Sequence, residues 1–199
     1  VNTPHNPCGT VLRTEDWREL EKLVEQNNVL VVSDEVYERL IFDGRKPDSV
    51  LKYPALAANS MAVFSFGKTF HATGWKCGYV VASAALTAEI RKTHQFVVFS
   101  VNTPVQLALA EYMHDLEHLQ NLPAFYQQKR DYFLNELKGS SFEPLPCAGS
   151  YFQLVTYKNY SSLPDFNMAE ELTRKFKVAS IPVSVFYKDK TDHHLLRFC

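Results

Sequence analysis

The chain has 199 residues, 46% of them hydrophobic, which is enough for one large domain or two small ones with a real core. Its formal net charge of −1 and pI near 6.7 leave no electrostatic footprint for nucleic acid or an anionic membrane surface. No apolar run approaches the length of a membrane span.

The first residues lack the charged-then-apolar pattern of a signal peptide. Cys8, Cys77, Cys147 and Cys199 are scattered without metal-ligand spacing and read as reduced thiols of a cytoplasmic protein. Thr3-Pro4-His5-Asn6-Pro7-Cys8-Gly9-Thr10 is dense in breakers and reads as a structured loop. Thr14 is the expected N-cap of a helix whose apolar face is Leu20, Leu23 and Val24, ended by Asn27-Asn28. Val29 to Ser33 is a continuous apolar run, expected as a strand covered on both faces, with Asp34-Glu35-Val36-Tyr37 at its carboxyl end.

After the turn at Asp43-Gly44, Met61 to Phe64 reads as a buried strand ending at Ser65. Lys68 follows just past that end, where α/β enzymes place reactive groups. Gly78 to Ala82 is a further strand, and Leu86 to Phe96 carries helical periodicity. Pro104 is expected to start a helix reaching about His114, and Pro123 to Lys138 one long amphipathic helix stopped by Gly139. Beyond it the pattern changes. Phe142 to Pro146 is extended, and Ser150 to Val155 alternates like a half-buried strand. Met168 to Phe176 is helical, Ala179 to Phe186 reads as loop plus edge strand, and Leu195 to Phe198 as a last short strand. The expected organisation is α/β over residues 1–112 and a smaller α+β unit over residues 113–199.

Several strand ends carry groups that suit pyridoxal 5'-phosphate, an aldehyde cofactor that needs a reactive lysine. A desolvated Lys68 can lose its proton and attack a carbonyl carbon to form a Schiff base. Asp34 would sit against the pyridine nitrogen and keep it protonated. Asn6 and Tyr37 could bond the ring hydroxyl, and Ser65 and Lys76 could hold the phosphate.

The ordered runs Asn2-Thr3-Pro4-His5-Asn6-Pro7-x-Gly9, Ser33-Asp34-Glu35-Val36-Tyr37-Glu38 and Ser65-Phe66-Gly67-Lys68-Thr69-Phe70-x-x-Thr73-Gly74-Trp75-Lys76-x-Gly78 resemble the class I/II, fold-type I aminotransferases. The flavour is that of the kynurenine/glutamine/methionine group, and the resemblance covers essentially the whole chain. It implies part of a mostly parallel large-domain sheet over residues 1–112 and most of a small domain over residues 113–199. It implies Lys68, Asp34 and Tyr37 as catalytic residues, and Asn6, Asp34, Tyr37, Ser65, Lys68 and Lys76 as ligands of pyridoxal 5'-phosphate. It implies Arg197, Asn6 and Phe99 as substrate contacts, Arg197 as the clamp of the α-carboxylate and Phe99 as an aromatic offered across a homodimer interface. The implied reaction is ping-pong exchange of an amino group between an amino acid of methionine, glutamine, kynurenine or aromatic type and a 2-oxo acid. The same carbanion chemistry leaves cysteine-S-conjugate β-lyase activity as an alternative, and a noncatalytic fragment needing further segments as another. Both ends read as cut, so the chain alone is expected to be a poor catalyst.

Blander readings stand beside these. Gly67-Lys68-Thr69 resembles the end of an NTPase phosphate loop, but the glycine such a loop needs is replaced by Ala62. His193-His194 reads as a solvated turn, because adjacent strand residues point to opposite faces. His71 carries no assigned chemistry. Tyr151, Phe152 and Phe186 are read as core packing, with a substrate pocket as the alternative.

Overall fold

The computed structural model describes residues 1–199 and arranges them as two sheets joined by helices. The first sheet has strand order β1 (Val31–Asp34), β2 (Ser60–Ser65), β3 (Gly78–Ala82). β1 and β2 run parallel, with Asp34 opposite Val63, and Asn2 bridges Asp34 in the same sense on the outer side. β3 returns antiparallel, with Gly78 opposite Ser65. The carboxyl ends of β1 and β2 and the start of β3 therefore share one edge.

Helix α1 (Thr14–Gln26) and the short helix α2 (Pro54–Ala58) cover one face of this sheet. Trp17, Val24, Val50, Tyr53 and Leu56 pack there on Val31, Ala62 and Phe64, and Trp17 stacks on Tyr53 at 6.0 Å between ring centroids. The expected cap Thr14 is instead the first helical residue. Arg13 is the cap, because the Asp16 carboxylate accepts its backbone N–H at 2.8 Å, while Thr14 Oγ1 donates to Asp48. The strand expected to be covered on both faces is covered on one. Val32, on the other face, is 52% exposed.

The lysine segment expected as a loop forms a one-turn helix, α3 (Phe66–Thr69), followed by a 3-10 turn at Thr73–Trp75. Helices α4 (Ala84–Val97) and α5 (Thr103–Tyr112) expose Phe96 (84%), Val97 (75%) and Phe99 (82%). Helix α6 (Glu117–Glu136) starts six residues before Pro123, the expected first residue. The entrance is served by Asp115, whose carboxylate accepts the Glu117 backbone N–H at 2.9 Å, and the helix absorbs Pro123 internally.

The second sheet has order β4 (Glu143–Pro144), β5 (Gln153–Thr156), β7 (Leu195–Phe198), β6 (Ile181–Pro182), with antiparallel pairing throughout. β5 was expected to alternate. Instead Gln153, Leu154 and Val155 are all buried, because β5 lies between two strands and under packed side chains. Helix α7 (Asp165–Glu171), continued by a π-turn to Phe176, packs Met168, Ala169 and Leu172 on Tyr157 and Leu196. A third cluster joins the two sheets: Tyr37 and Leu40 after β1, Leu122 of α6, and Phe152 before β5.

Candidate active site

The shared edge of the first sheet gathers the groups singled out in the sequence. Asp34 is the last residue of β1, Ser65 the last of β2, and Lys68 lies one helical turn beyond Ser65. The β3 register sets Gly78 beside Ser65, which returns Lys76 to the same end. Lys76 is exposed and left-handed at φ 54°. Two glycines hold this geometry. A Cβ on Gly67 would meet the Thr73 Cα at 2.9 Å, and one on Gly78 would meet the Phe64 carbonyl oxygen at 2.5 Å.

The loop before α1 is drawn onto the same edge by main-chain and side-chain bonds. Thr3 N–H donates to the Asp34 carbonyl at 3.0 Å, and Asn2 Nδ2 donates to that oxygen at 3.0 Å. Asn2 Oδ1 accepts the Asn6 backbone N–H at 2.9 Å, which orients Asn6. Arg197 reaches Asn6 from β7: its Nη1 donates to Asn6 Oδ1 at 2.6 Å. The guanidinium lies 4.0 Å from the Phe152 ring centroid and 5.3 Å from that of Phe186, and its Nε is buried without a partner. Phe152 and Phe186 are thus the aromatic walls of the arginine.

Lys68 makes no hydrogen bond or ion pair; its Nζ lies 5.8 Å from the Tyr37 ring centroid. Tyr37 is buried, edge-to-face with Tyr151 at 5.2 Å and with Phe152 at 5.9 Å. Burial, then Tyr151, pushes the Tyr37 hydroxyl well above the usual phenol range, so it keeps its proton. Asp34 Oδ1 accepts the Val36 N–H at 3.3 Å, and no cation pairs with its carboxylate. A cavity of about 520 Å³ opens beside Lys68, walled by Tyr126, Tyr151 and Phe152. It does not reach Asp34, Asn6, Ser65, Lys76 or Arg197. Phe99 stands apart from all of these, exposed at the end of α4 with φ 64°.

Sequence reasoning passed over four contributors. Glu35 is buried; its Oε1 accepts from Ser33 Oγ at 2.9 Å and Val50 N–H at 3.0 Å, tying the end of β1 to the turn before α2. Burial pushes the Glu38 carboxyl up to about 7. Arg130 of α6 forks onto Asp43 at 2.6 and 2.8 Å and donates to the Cys147 carbonyl at 2.9 Å, bracing the two sheets. Tyr126 of α6 stands 5.6 Å from Tyr151 and contacts His71. The signal available for Arg130 and Tyr126 was only their place on an amphipathic helix, which does not say what that helix faces.

The chain's unpaired groups are those an anionic pyridine aldehyde needs. Two lysines lack counter-ions, one strand-end carboxylate lacks a cation, and one arginine has a free buried N–H. The residues present therefore fit pyridoxal 5'-phosphate.

The family model for aminotransferase class I and II matches residues 1–199. Methionine aminotransferase of Escherichia coli K12 is 49% identical over 200 residues, covering 100% of this chain and 52% of that protein. Kynurenine–oxoglutarate transaminase of Dictyostelium discoideum is 34% identical over 222 residues, covering 100% of this chain and 51% of that protein. An Escherichia coli crystal structure reported with a methionine aminotransferase function superposes with a TM-score of 0.96 at 49% identity, over 100% of this chain and 53% of that one. The chain spans about half the length of the curated relatives it matches.

Proposed function

The chain belongs to the class I and II aminotransferases, and from that membership we propose that it carries the lysine-bearing half of a pyridoxal 5'-phosphate transaminase. The substrates would be an amino acid of methionine, glutamine, kynurenine or aromatic type and a 2-oxo acid. The 49% identity to a methionine aminotransferase favours the thioether side chain among these. Residues 1–112 would be the second half of the cofactor-binding domain and residues 113–199 most of the small domain.

When bound, the cofactor supplies a carbonyl carbon and an electron-accepting ring. Lys68 supplies the amine that bonds the carbonyl carbon, and the same nitrogen, once free, carries the proton at the substrate α-carbon. No hydrogen bond or ion pair holds its Nζ elsewhere. Asp34 holds positive charge at the ring nitrogen. Tyr37 and Asn6 offer hydrogen bonds at the ring hydroxyl, Tyr37 as a donor because it stays protonated. Ser65 and Lys76 hold the phosphate, one by a hydroxyl and one as a point charge. Arg197 takes the substrate carboxylate on its fork while Asn6 and two aromatic rings fix the guanidinium.

The observation that carries this reading is the Arg197–Asn6 bond, which draws the far end of the chain to the edge that presents Asp34 and Lys68. The exposed Phe96, Val97 and Phe99 support a homodimer in which Phe99 faces the second copy. The test is borohydride trapping of pyridoxal 5'-phosphate with peptide mapping, followed by assay of methionine and 2-oxo acid exchange in a protein extended to the length of its relatives. Label on a lysine other than Lys68 sinks the assignment. Pyruvate release from a cysteine S-conjugate without amino-group exchange would favour the β-lyase alternative.

A further inference from the structure

The short helix α3, which carries Lys68, is fastened to α6 by contacts that the proposed chemistry does not use. His118 Nε2 lies 3.2 Å from the Thr69 carbonyl oxygen. A carbonyl only accepts, so His118 donates there. His71 Nδ1 lies 3.2 Å from the Tyr126 hydroxyl. The two imidazoles stand edge-to-face, 5.5 Å between centroids. Phe70 and Tyr112 pack on His118, and Phe125 packs on His71. His71 is left-handed at φ 55°, so the backbone leaves its usual range at the residue that presents this ring.

The contacts continue back to the lysine by a second route. Tyr126 lies 5.6 Å from Tyr151, Tyr151 lies 5.2 Å from Tyr37, and the Tyr37 ring lies 5.8 Å from Lys68 Nζ. Lys68 is thus held between α3, anchored through His71 and His118, and a row of phenol rings that starts at the same Tyr126.

We propose that His71, His118 and Tyr126 form a clasp that positions Lys68, closed while the His71 imidazole is neutral and opened by acid. The clasp matters for function on the reading of Lys68 as the reactive amine, but its opening needs no cofactor. The surrounding charges supply the reason. The cavity bordered by His71 is also lined by Lys68, Lys129 and Arg130, and by no aspartate or glutamate. Arg130 is engaged by Asp43 and Asp131. From α6 the groups facing His71 or lining its cavity are His118, Tyr126, Lys129, Arg130 and Tyr132; from α3, Lys68; from the segment before β5, Cys147 and Tyr151; after β7, Cys199; Tyr112 of α5 faces His118. These are cations, phenols, thiols and the second imidazole, so a proton on His71 meets no aspartate or glutamate there.

Burial and His118 hold the His71 pKa below its ordinary 6.5. The folded state therefore binds fewer protons than free imidazole. The clasp's contribution is complete above pH 6.5 and is lost as pH falls through that value and below it.

The experiment is amide hydrogen exchange of residues 66–71 in this chain between about pH 5 and pH 8, corrected for the intrinsic rate. Protection should fall about fivefold toward the acid end while β2, residues 60–65, stays protected. Tyr126→Phe should lose about that much protection already at pH 8. His118→Gln keeps a donor for the Thr69 carbonyl and removes the ring that opposes a proton on His71, so it should stay protected with a flatter profile. Three results overturn the clasp: protection independent of pH, Tyr126→Phe exchanging like the parent, or β2 losing protection in step with residues 66–71. Because the exchange profiles are read without cofactor, failure of the clasp is separable from failure of the lysine assignment, which borohydride trapping tests.

Discussion

Arg197 Nη1 donates to Asn6 Oδ1 at 2.6 Å across 191 residues of chain. β7 brings the guanidinium from the second sheet, and the breaker-rich loop brings the amide from the edge of the first. Phe152 and Phe186 fix the guanidinium plane, leaving Nε buried and unpaired. A planar fork held in one orientation suits a carboxylate, and a lysine cannot reproduce it. In a protein extended to the length of its relatives, Arg197→Lys should lower kcat/KM for the amino acid about 100-fold, with the larger part in KM. Steady-state kinetics at varied amino acid concentration checks this; an unchanged KM removes Arg197 from the carboxylate site.

Lys68→Ala should abolish covalent capture of the cofactor while leaving fold stability within about 0.5 kcal/mol, because the ammonium has no bonding partner to lose. Borohydride trapping and a denaturant melt on the same preparation give both numbers. Survival of the trapped adduct refutes the assignment.

Gly67→Ala should cost about 1–3 kcal/mol, since its Cβ would sit 2.9 Å from the Thr73 Cα, a backbone atom that cannot swing away. Gly74→Ala, with open space at its Cβ, is the matched control. Equal melting temperatures for the two variants would contradict the close packing of the lysine turn.

Glu38 carries a carboxyl raised by burial from 4.5 to about 7, with Oε2 unpartnered. Its folded pKa lies above the unfolded one, so folding favours the protonated form and ionisation is destabilising. The penalty is absent below about pH 4.5, grows as pH rises, and is complete above about pH 7. Glu38→Gln should therefore stabilise the protein at pH 8 by up to about 3 kcal/mol and change little at pH 4. Urea melts at the two pH values decide it, and equal effects at both would refute the mechanism.

Phe96 and Phe99 are 84% and 82% exposed at the end of α4. In the extended protein, Phe96→Asp and Phe99→Asp should each weaken self-association about 10-fold or more. Sedimentation velocity over a dilution series reads the change. A monomer in both parent and variants rejects the interface.

Much of the candidate site was legible because its groups sit at strand ends. Val31 to Ser33 and Met61 to Phe64 announce strands by composition, and Asp34, Ser65 and Lys68 follow them in the chain. Gly67 and Gly78 mark close backbone approaches that a local reading can anticipate. Element limits were less legible where tertiary context overrode local signals. The Asp16 carboxylate moved the α1 cap from Thr14 to Arg13, and Asp115 started α6 before Pro123. The alternation expected of β5 failed because side chains pack on both faces of the second sheet at this strand.

The sequence by itself determined the family, the order of its motifs and the place of Lys68 just past a strand end. Those depend on residue type and spacing along a few consecutive turns and strands. Only the tertiary structure decided that Asn6 faces Arg197, that Arg130 braces Asp43 against the Cys147 carbonyl, and that His71 and His118 meet beside Lys68. These partners lie tens to nearly two hundred residues apart. Their meeting is set by sheet register and by the burial of Tyr37, Leu40, Leu122 and Phe152 in one shared cluster, and no local pattern of residues encodes that packing.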